Sequence, residues 1–297
     1  MGIGMAVHGG AYAIPQEERE RHRVGCRRAL ERGLEVLTRG GSSLDAVEAA
    51  VAALERDGAF DAGRGSVLNV DGNVELDAGI MDGRDLRTGS VAGVMGVPTA
   101  IVLARKVLES EYAVLVGSGA KRFAVEHGVA TCDPQELVHE RERNRWLSAG
   151  GRGQASERNA LMFGDTVGAV AVDSSGNVAA ATATGGIPGK PEGRVGDSPF
   201  IGSGLYADNA TAAVSTTGQG ELMIPLVWAK AAADIVGKGT PPQQAADAAL
   251  GLLARTAARG GLIIADASGQ IGVAWNTPQM AFAVLACGAD DISDGPS

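Results

Sequence analysis

The sequence predicts an α+β protein in which antiparallel or mixed sheets are covered by helices. Three observations predict it. Short apolar, β-prone runs are grouped in the chain as strands, then helices, then strands, with no steady βαβα alternation. Two groups read as hairpins, turning at Ser174-Ser175-Gly176-Asn177 and at Ala267-Ser268-Gly269. Between them lie stretches with helical apolar spacing. The chain has 297 residues, 45% hydrophobic and 21% charged, enough for a substantial buried core.

The elements follow in order. "IGMAVHGG" is a short strand ending in two glycines, and residues 16–41 read as a charged amphipathic helix stopped by Gly40-Gly41. A second helix follows, capped by Ser42 or Ser43, with Leu44, Val47, Val51 and Leu54 on one face. Strands are expected at 74–81 and 90–96, a helix at 99–110, and a short buried strand at 113–118. Residues 134–147 begin with Pro and carry dense alternating charge, which predicts an exposed helix. Residues 148–165 then carry four glycines among small polar residues, the composition of a flexible linker. From Thr166 the chain turns β-rich, as a unit of its own: a hairpin, helices at 221–237 and 241–257, a second hairpin and a final strand, "MAFAVLA".

Several function classes are excluded. The net charge of −9 offers no basic footprint for nucleic acid. No apolar run approaches the ~20 residues needed to span a bilayer. Cys26, Cys132 and Cys287 form no paired framework, and "MGIGMAVHGG" has no secretory pattern, so a cytoplasmic location is expected. The four histidines have no metal-ligand spacing, and His8 at a strand end reads as structural. "GSGLYA" lacks the strand–helix context of a dinucleotide loop, and no GxSxG elbow exists.

Polar and glycine positions concentrate in the second half. Thr166 opens an apolar strand directly after the linker, and Thr184 lies near the end of the strand folding back on it, so the two hydroxyls can face each other. Arg194 and Asp197 sit in the turn-rich "GRVGDSP"; a guanidinium fork and an aspartate suit the two charged ends of an α-amino acid, or simply each other. "STTGQGE" reads as a glycine-rich loop before a helix: either an anion or oxyanion cradle, or a capping turn with Thr216 or Thr217 capping the helix from Glu221.

These residues sit in longer motifs. "GDTVGAVAVDSSGNVAAATATGGIPGKPEGRVGDSPFIGSGLYADN", "STTGQGE", "HGGA", "FDAGRGSVLNVDGNVELDAGIMDG", "GVMGVPTAIVLARKVLE" and "NTPQM" together resemble the plant-type L-asparaginase/isoaspartyl aminopeptidase family of N-terminal-nucleophile hydrolases. The likeness runs nearly the whole chain in the right order. It implies a four-layer αββα sandwich that cuts itself at Asp165–Thr166 into an α subunit, 1–165, and a β subunit, 166–297, forming one domain. By the same resemblance Thr166 is the nucleophile, with Thr184 supporting it. Arg194 binds the substrate α-carboxylate and Asp197 its α-amino group; Thr217 and the Gly218 N–H form the oxyanion hole, and Gly220 lets the loop approach. No catalytic metal is implied, only a structural Na⁺ held by main-chain carbonyls of Leu54, Glu55, Phe60 and Gly63. The implied activity is hydrolysis of L-asparagine and β-aspartyl dipeptides by a dimer of αβ units.

Two positions depart from the family's pattern. Asp61 stands where the family commonly has Asn, exchanging an amide donor for a charge. Asp165 precedes the nucleophile where Gly is also common, matching the Asp-Thr junction of glycosylasparaginases. The alternatives are therefore a glycosylasparaginase-like activity and an uncut, non-catalytic scaffold or binding protein. The intact Thr166, Arg194, Asp197 and Thr217 set argues against the scaffold.

Overall fold

A computed structural model describes residues 2–151 and 166–295. The chain runs through β1 (Gly4–Tyr12), α1 (Gln16–Thr38), α2 (Ser43–Asp57), β2 (Leu76–Asp82), β3 (Thr88–Val94), α3 (Ala100–Leu108), β4 (Val114–Val116), α4 (Gly117–Glu126) and α5 (Glu140–Ser148). It continues with β5 (Thr166–Val172), β6 (Val178–Thr184), β7 (Leu205–Ala207), β8 (Ala213–Gly218), α6 (Gly220–Met223), α7 (Trp228–Gly237) and α8 (Pro242–Leu252). Last come β9 (Gly260–Ala265), β10 (Ile271–Trp275), β11 (Gln279–Leu285) and β12 (Ser293–Gly295).

One sheet has eight strands in the order β12-β11-β1-β5-β6-β2-β3-β4; the other has four, β10-β9-β8-β7. Pairing is antiparallel except between β3 and β4, so the large sheet is mixed, as expected. Because β5 and β6 lie between β1 and β2, both halves of the sequence build one sheet. The expectation that the second half stands as its own unit is corrected by this pairing.

Side-chain alternation sorts the layers. On β5, Val167, Ala169 and Ala171 face the core shared with α1, α2 and α3, while Val170 and Val172 join the core between the two sheets. On β9, Ile263 and Ala265 face the large sheet, and Leu262 and Ile264 pack with Trp228 and Ala232 of α7. The result is the four-layer αββα sandwich. Ala fills many positions between the layers, which lets the two sheets and their helices pack closely.

Local signals hold where they are strong. The Ser42 hydroxyl caps α2 by accepting from the Asp45 N–H at 3.1 Å, and Gly58 ends the helix at φ +73°. Leu44, Val47, Val51 and Leu54 are all buried on its inner face.

Other readings are corrected. β4 is not buried: it is an edge strand, with Val114 and Val116 exposed. The helix expected over 134–147 is split, because a capping box at Asp133 makes a 3₁₀ turn and His139 then caps α5 separately. The helix expected over 221–237 breaks at Pro225 and at Val227, which takes φ +48°. The short strands β7 and β12 and the helix α4 carry no periodicity long enough to be read from sequence. Most of the expected linker, 152–165, lies outside the described residues.

Candidate active site

Thr166 is the first residue of β5 and is nearly buried, 5% exposed. It shares a side of the sheet with Gly168, Val170 and Val172, so its side chain faces the space between the sheets. Its register partner on β6 is Thr184, and the partner of Thr184 on β2 is Asp77. Three polar side chains thus line one end of three adjacent strands. The Thr166 hydroxyl lies 3.3 Å from that of Ser198, and the Thr184 hydroxyl accepts from the Gly186 N–H at 2.9 Å.

The opposite wall comes from the small sheet. Thr217 and Gly218 end β8, so "STTG" is strand and the glycine loop starts only afterwards. Neither Thr216 nor Thr217 caps the next helix; Gln219 occupies the cap position without a side-chain capping bond, which corrects the capping reading. Ala213 packs between the sheets, and Thr217, four residues on, shares its side of β8. The Thr217 hydroxyl is fully buried and has no hydrogen-bond partner among the described residues. A buried, unpaired donor is costly and calls for an explanation, such as a group that arrives later. Gly218 has φ +147°, and a Cβ there would lie 2.4 Å from the Arg259 carbonyl oxygen, so only glycine fits.

Asp197 and Ser198 bridge the walls. The Thr182 hydroxyl donates to the Ser198 carbonyl at 2.7 Å, and the Thr216 hydroxyl donates to the Asp197 carboxylate at 3.1 Å. Burial pushes the Asp197 carboxyl up to about 6, while hydrogen bonds from its own backbone and Thr216, and the Arg194 charge, pull it down. Gly220 presses on this segment: a Cβ there would lie 2.8 Å from the Asp197 nitrogen. Arg194 does not form the simple ion pair with Asp197 considered from sequence. Its Nε and Nη2 donate side-on to the Glu221 carboxylate, both at 2.8 Å.

Behind the threonines the chain buries further polar groups. His8 Nε2 lies 2.7 Å from the Ser215 hydroxyl, tying β1 to β8 across the sandwich; burial pushes the imidazole down to about 3, against a pull from the Thr166 backbone. His8 is therefore a neutral, structural histidine, as expected. Lys190, 1% exposed, donates to the Glu75 carbonyl at 3.0 Å and lies 4.0 Å from Asp77, whose carboxyl burial pushes up.

Asp61 accepts from the Val67 N–H at 2.9 Å, and its carbonyl accepts from the Gly185 N–H, next to Thr184. Its second carboxyl oxygen is buried without a partner among the described residues. Burial pushes the group up to about 8, which keeps it neutral at neutral pH. A protonated carboxyl offers one O–H donor beside a carbonyl acceptor, where an amide offers two N–H donors. A cavity of about 880 Å³ borders Asp61, lined also by Tyr12, Val67, Arg141, Trp146 and Gly189.

The expected cation loop is built from backbone. Gly63, at φ +55°, lies so close to the Glu55 carbonyl oxygen that a Cβ would sit 2.4 Å from it. The Glu55 carboxylate points elsewhere, accepting from the Ile101 N–H at the start of α3 at 3.3 Å. Carbonyls at the C-terminal end of α2 carry partial negative charge, which suits a monovalent cation. Leu54, Glu55, Phe60 and Gly63 would hold it, and its chemistry would be to stiffen the loop ahead of Asp61. Among the described residues no cluster of three His, Cys, Asp or Glu side chains is placed to hold a metal.

Ser198, Asp77, Lys190 and Glu221 were not singled out from sequence. Ser198 had one available signal, its place directly after Asp197. The others converge only through strand register and loop packing.

Two facing sheets between helix layers, with a threonine heading a central strand, form the αββα architecture of the N-terminal-nucleophile hydrolases. A family model described as asparaginase matches residues 1–292. The chain is 43% identical over 283 residues to an isoaspartyl peptidase/L-asparaginase of Xenopus laevis, covering 95% of this chain and 91% of that one. It is 43% identical over 282 residues to the protein of that name from Homo sapiens, covering 94% and 92%. A plant-type L-asparaginase of Thermococcus kodakarensis is 43% identical over 303 residues, covering 97% and 98%. The chain belongs to the plant-type L-asparaginase/isoaspartyl peptidase family.

Proposed function

We propose that this protein is a self-processing threonine amidohydrolase that converts L-asparagine to L-aspartate and ammonia and cleaves β-aspartyl dipeptides. One observation supports it above the rest: Thr166 and Thr184 on one sheet face the same space as Thr217 on the other, and the Asp197-Ser198 segment touches both walls.

The chemistry begins with hydrolysis of the Asp165–Thr166 peptide bond, in which water supplies the new carboxyl oxygen and the Thr166 α-amine is freed. Its reference pKa of roughly 7.7–8.0 makes it a usable base near neutral pH, unlike lysine. Only a first residue carries base and nucleophile together. β-branching limits the hydroxyl to few directions, and the Ser198 hydroxyl beside it helps hold one of them.

Arg194 takes the substrate α-carboxylate and Asp197 its ammonium, which sets the side-chain amide carbonyl before Thr166. The Thr166 oxygen bonds to that carbon while its proton passes to the amine. The oxyanion is received by the Thr217 hydroxyl and the Gly218 N–H. Collapse breaks the C–N bond, and the proton leaves with ammonia, or with the amino acid of a dipeptide. Water then cleaves the ester and releases L-aspartate. The assembly we propose is a dimer of αβ units.

A denaturing gel with intact mass tests processing: two fragments are expected, the smaller starting at Thr166. Release of L-aspartate from asparagine, from a β-aspartyl dipeptide and from a glycosylated asparagine tests the substrate class. An uncut chain after long incubation, or turnover of the glycosylated substrate alone, refutes the reading.

A further inference from the structure

We propose that Glu221 is a specificity-determining positioning residue: it holds Arg194 side-on and away from Asp197, so that fork and carboxylate stay apart to read the two charged ends of an α-amino acid. This rests on the reading of Arg194 and Asp197 given above.

The geometry is asymmetric. A guanidinium has five N–H donors, and Glu221 takes one on Nε and one on Nη2. The end-on edge, one donor on Nη1 and one on Nη2, remains for a second carboxylate. Arg194 Nη1 donates to no group among the described residues. Gly196 keeps space beside it, since a Cβ there would lie 3.1 Å from Nη1.

Arg194 is three residues from Asp197 and is itself only 14% exposed. Without Glu221, the nearby carboxylate of Asp197 is an available partner for its fork. Such a pair would fill both substrate-binding groups with each other. Glu221 prevents it from the far side of the loop that follows Thr217 and Gly218. Gly220, beside Glu221, also packs on Asp197, so one short segment touches both substrate-binding groups.

The carboxylate of Glu221 is 62% exposed, so the pair adds little to the fold itself. A purely structural role would therefore leave substrate affinity alone. The test compares Glu221→Ala and Glu221→Gln with the wild-type processed enzyme. For Glu221→Ala, the expected result is a KM for L-asparagine raised about tenfold to a hundredfold, with kcat changed far less. Calorimetric affinity for L-aspartate should fall in parallel, and the melting temperature should hold. Glu221→Gln, which keeps one acceptor for the fork, should lie between; it also carries the test if the alanine variant is not processed.

An unchanged KM and unchanged aspartate affinity in both variants overturn the proposal. If the wild type binds L-aspartate yet releases no ammonia, the hydrolase reading fails while aspartate affinity still decides the role of Glu221. A wild type that neither binds nor hydrolyses sinks both.

Discussion

Thr166 and Thr184 lie directly opposite each other on neighbouring antiparallel strands, at the end of the sheet where Asp77 completes the row. Thr166, the proposed nucleophile, is thus backed by two strands and not by a loop. Thr166→Ala keeps the strand and loses the hydroxyl. That variant should fold, remain a single chain on a denaturing gel, and lose ammonia release by about three orders of magnitude or more. Cleavage or residual turnover near wild type would refute the assignment.

Thr217→Val is close to isosteric and deletes a hydroxyl that bonds nothing among the described residues. Stability should hold or rise slightly, since no hydrogen bond is lost. Loss of an oxyanion donor should lower kcat by about 10²–10³ while KM changes little. Steady-state kinetics on pre-processed protein separates the two parameters.

Asp197 sets an acid limb. Burial places its carboxyl at about 6 in the free protein, so below that pH it carries a proton and offers no charge to an ammonium. The plot of kcat/KM against pH should therefore steepen by about a further tenfold per unit below pH ~6, beyond the limb that the Thr166 amine sets near its reference pKa of roughly 7.7–8.0. The kcat limb should lie lower, because a bound ammonium favours the ionised carboxylate. Asp197→Asn should raise KM and abolish that limb.

Gly168 lies beneath the His8–Ser215 bond. A Cβ there would lie 2.0 Å from the Ser215 hydroxyl and 2.4 Å from His8 Nε2. Gly168→Ala should cost about 2–4 kcal/mol by overpacking and by breaking a buried bond. Chemical denaturation would show it as a clear fall in midpoint; a midpoint within error of wild type would remove His8–Ser215 as a tie between the sheets.

Much of the fold was legible because its signals are local. Ser42 and Gly58 bound α2 by capping chemistry, and the apolar, β-prone run from Thr166 to Val172 marks a buried strand. The errors fall where local pattern is silent about surroundings. An apolar run such as Val114–Val116 reads as buried, yet its place at the sheet edge leaves it exposed. "STTGQGE" has the composition of a loop, but pairing with β9 extends β8 through Gly218.

By itself the sequence determined the chemistry available: a threonine heading an apolar strand, a second on the returning strand, a guanidinium and an aspartate in a rigid turn, and glycines where backbone must come close. Those follow from residue type and short-range spacing. Only the tertiary structure decided which groups meet. It turned Thr217 toward the side of β5 that carries Thr166, left its hydroxyl unpaired among the described residues, and gave Arg194 to Glu221, not to Asp197. The reason is physical: a charged fork takes whichever carboxylate packing brings within reach, and packing joins residues that the chain keeps far apart.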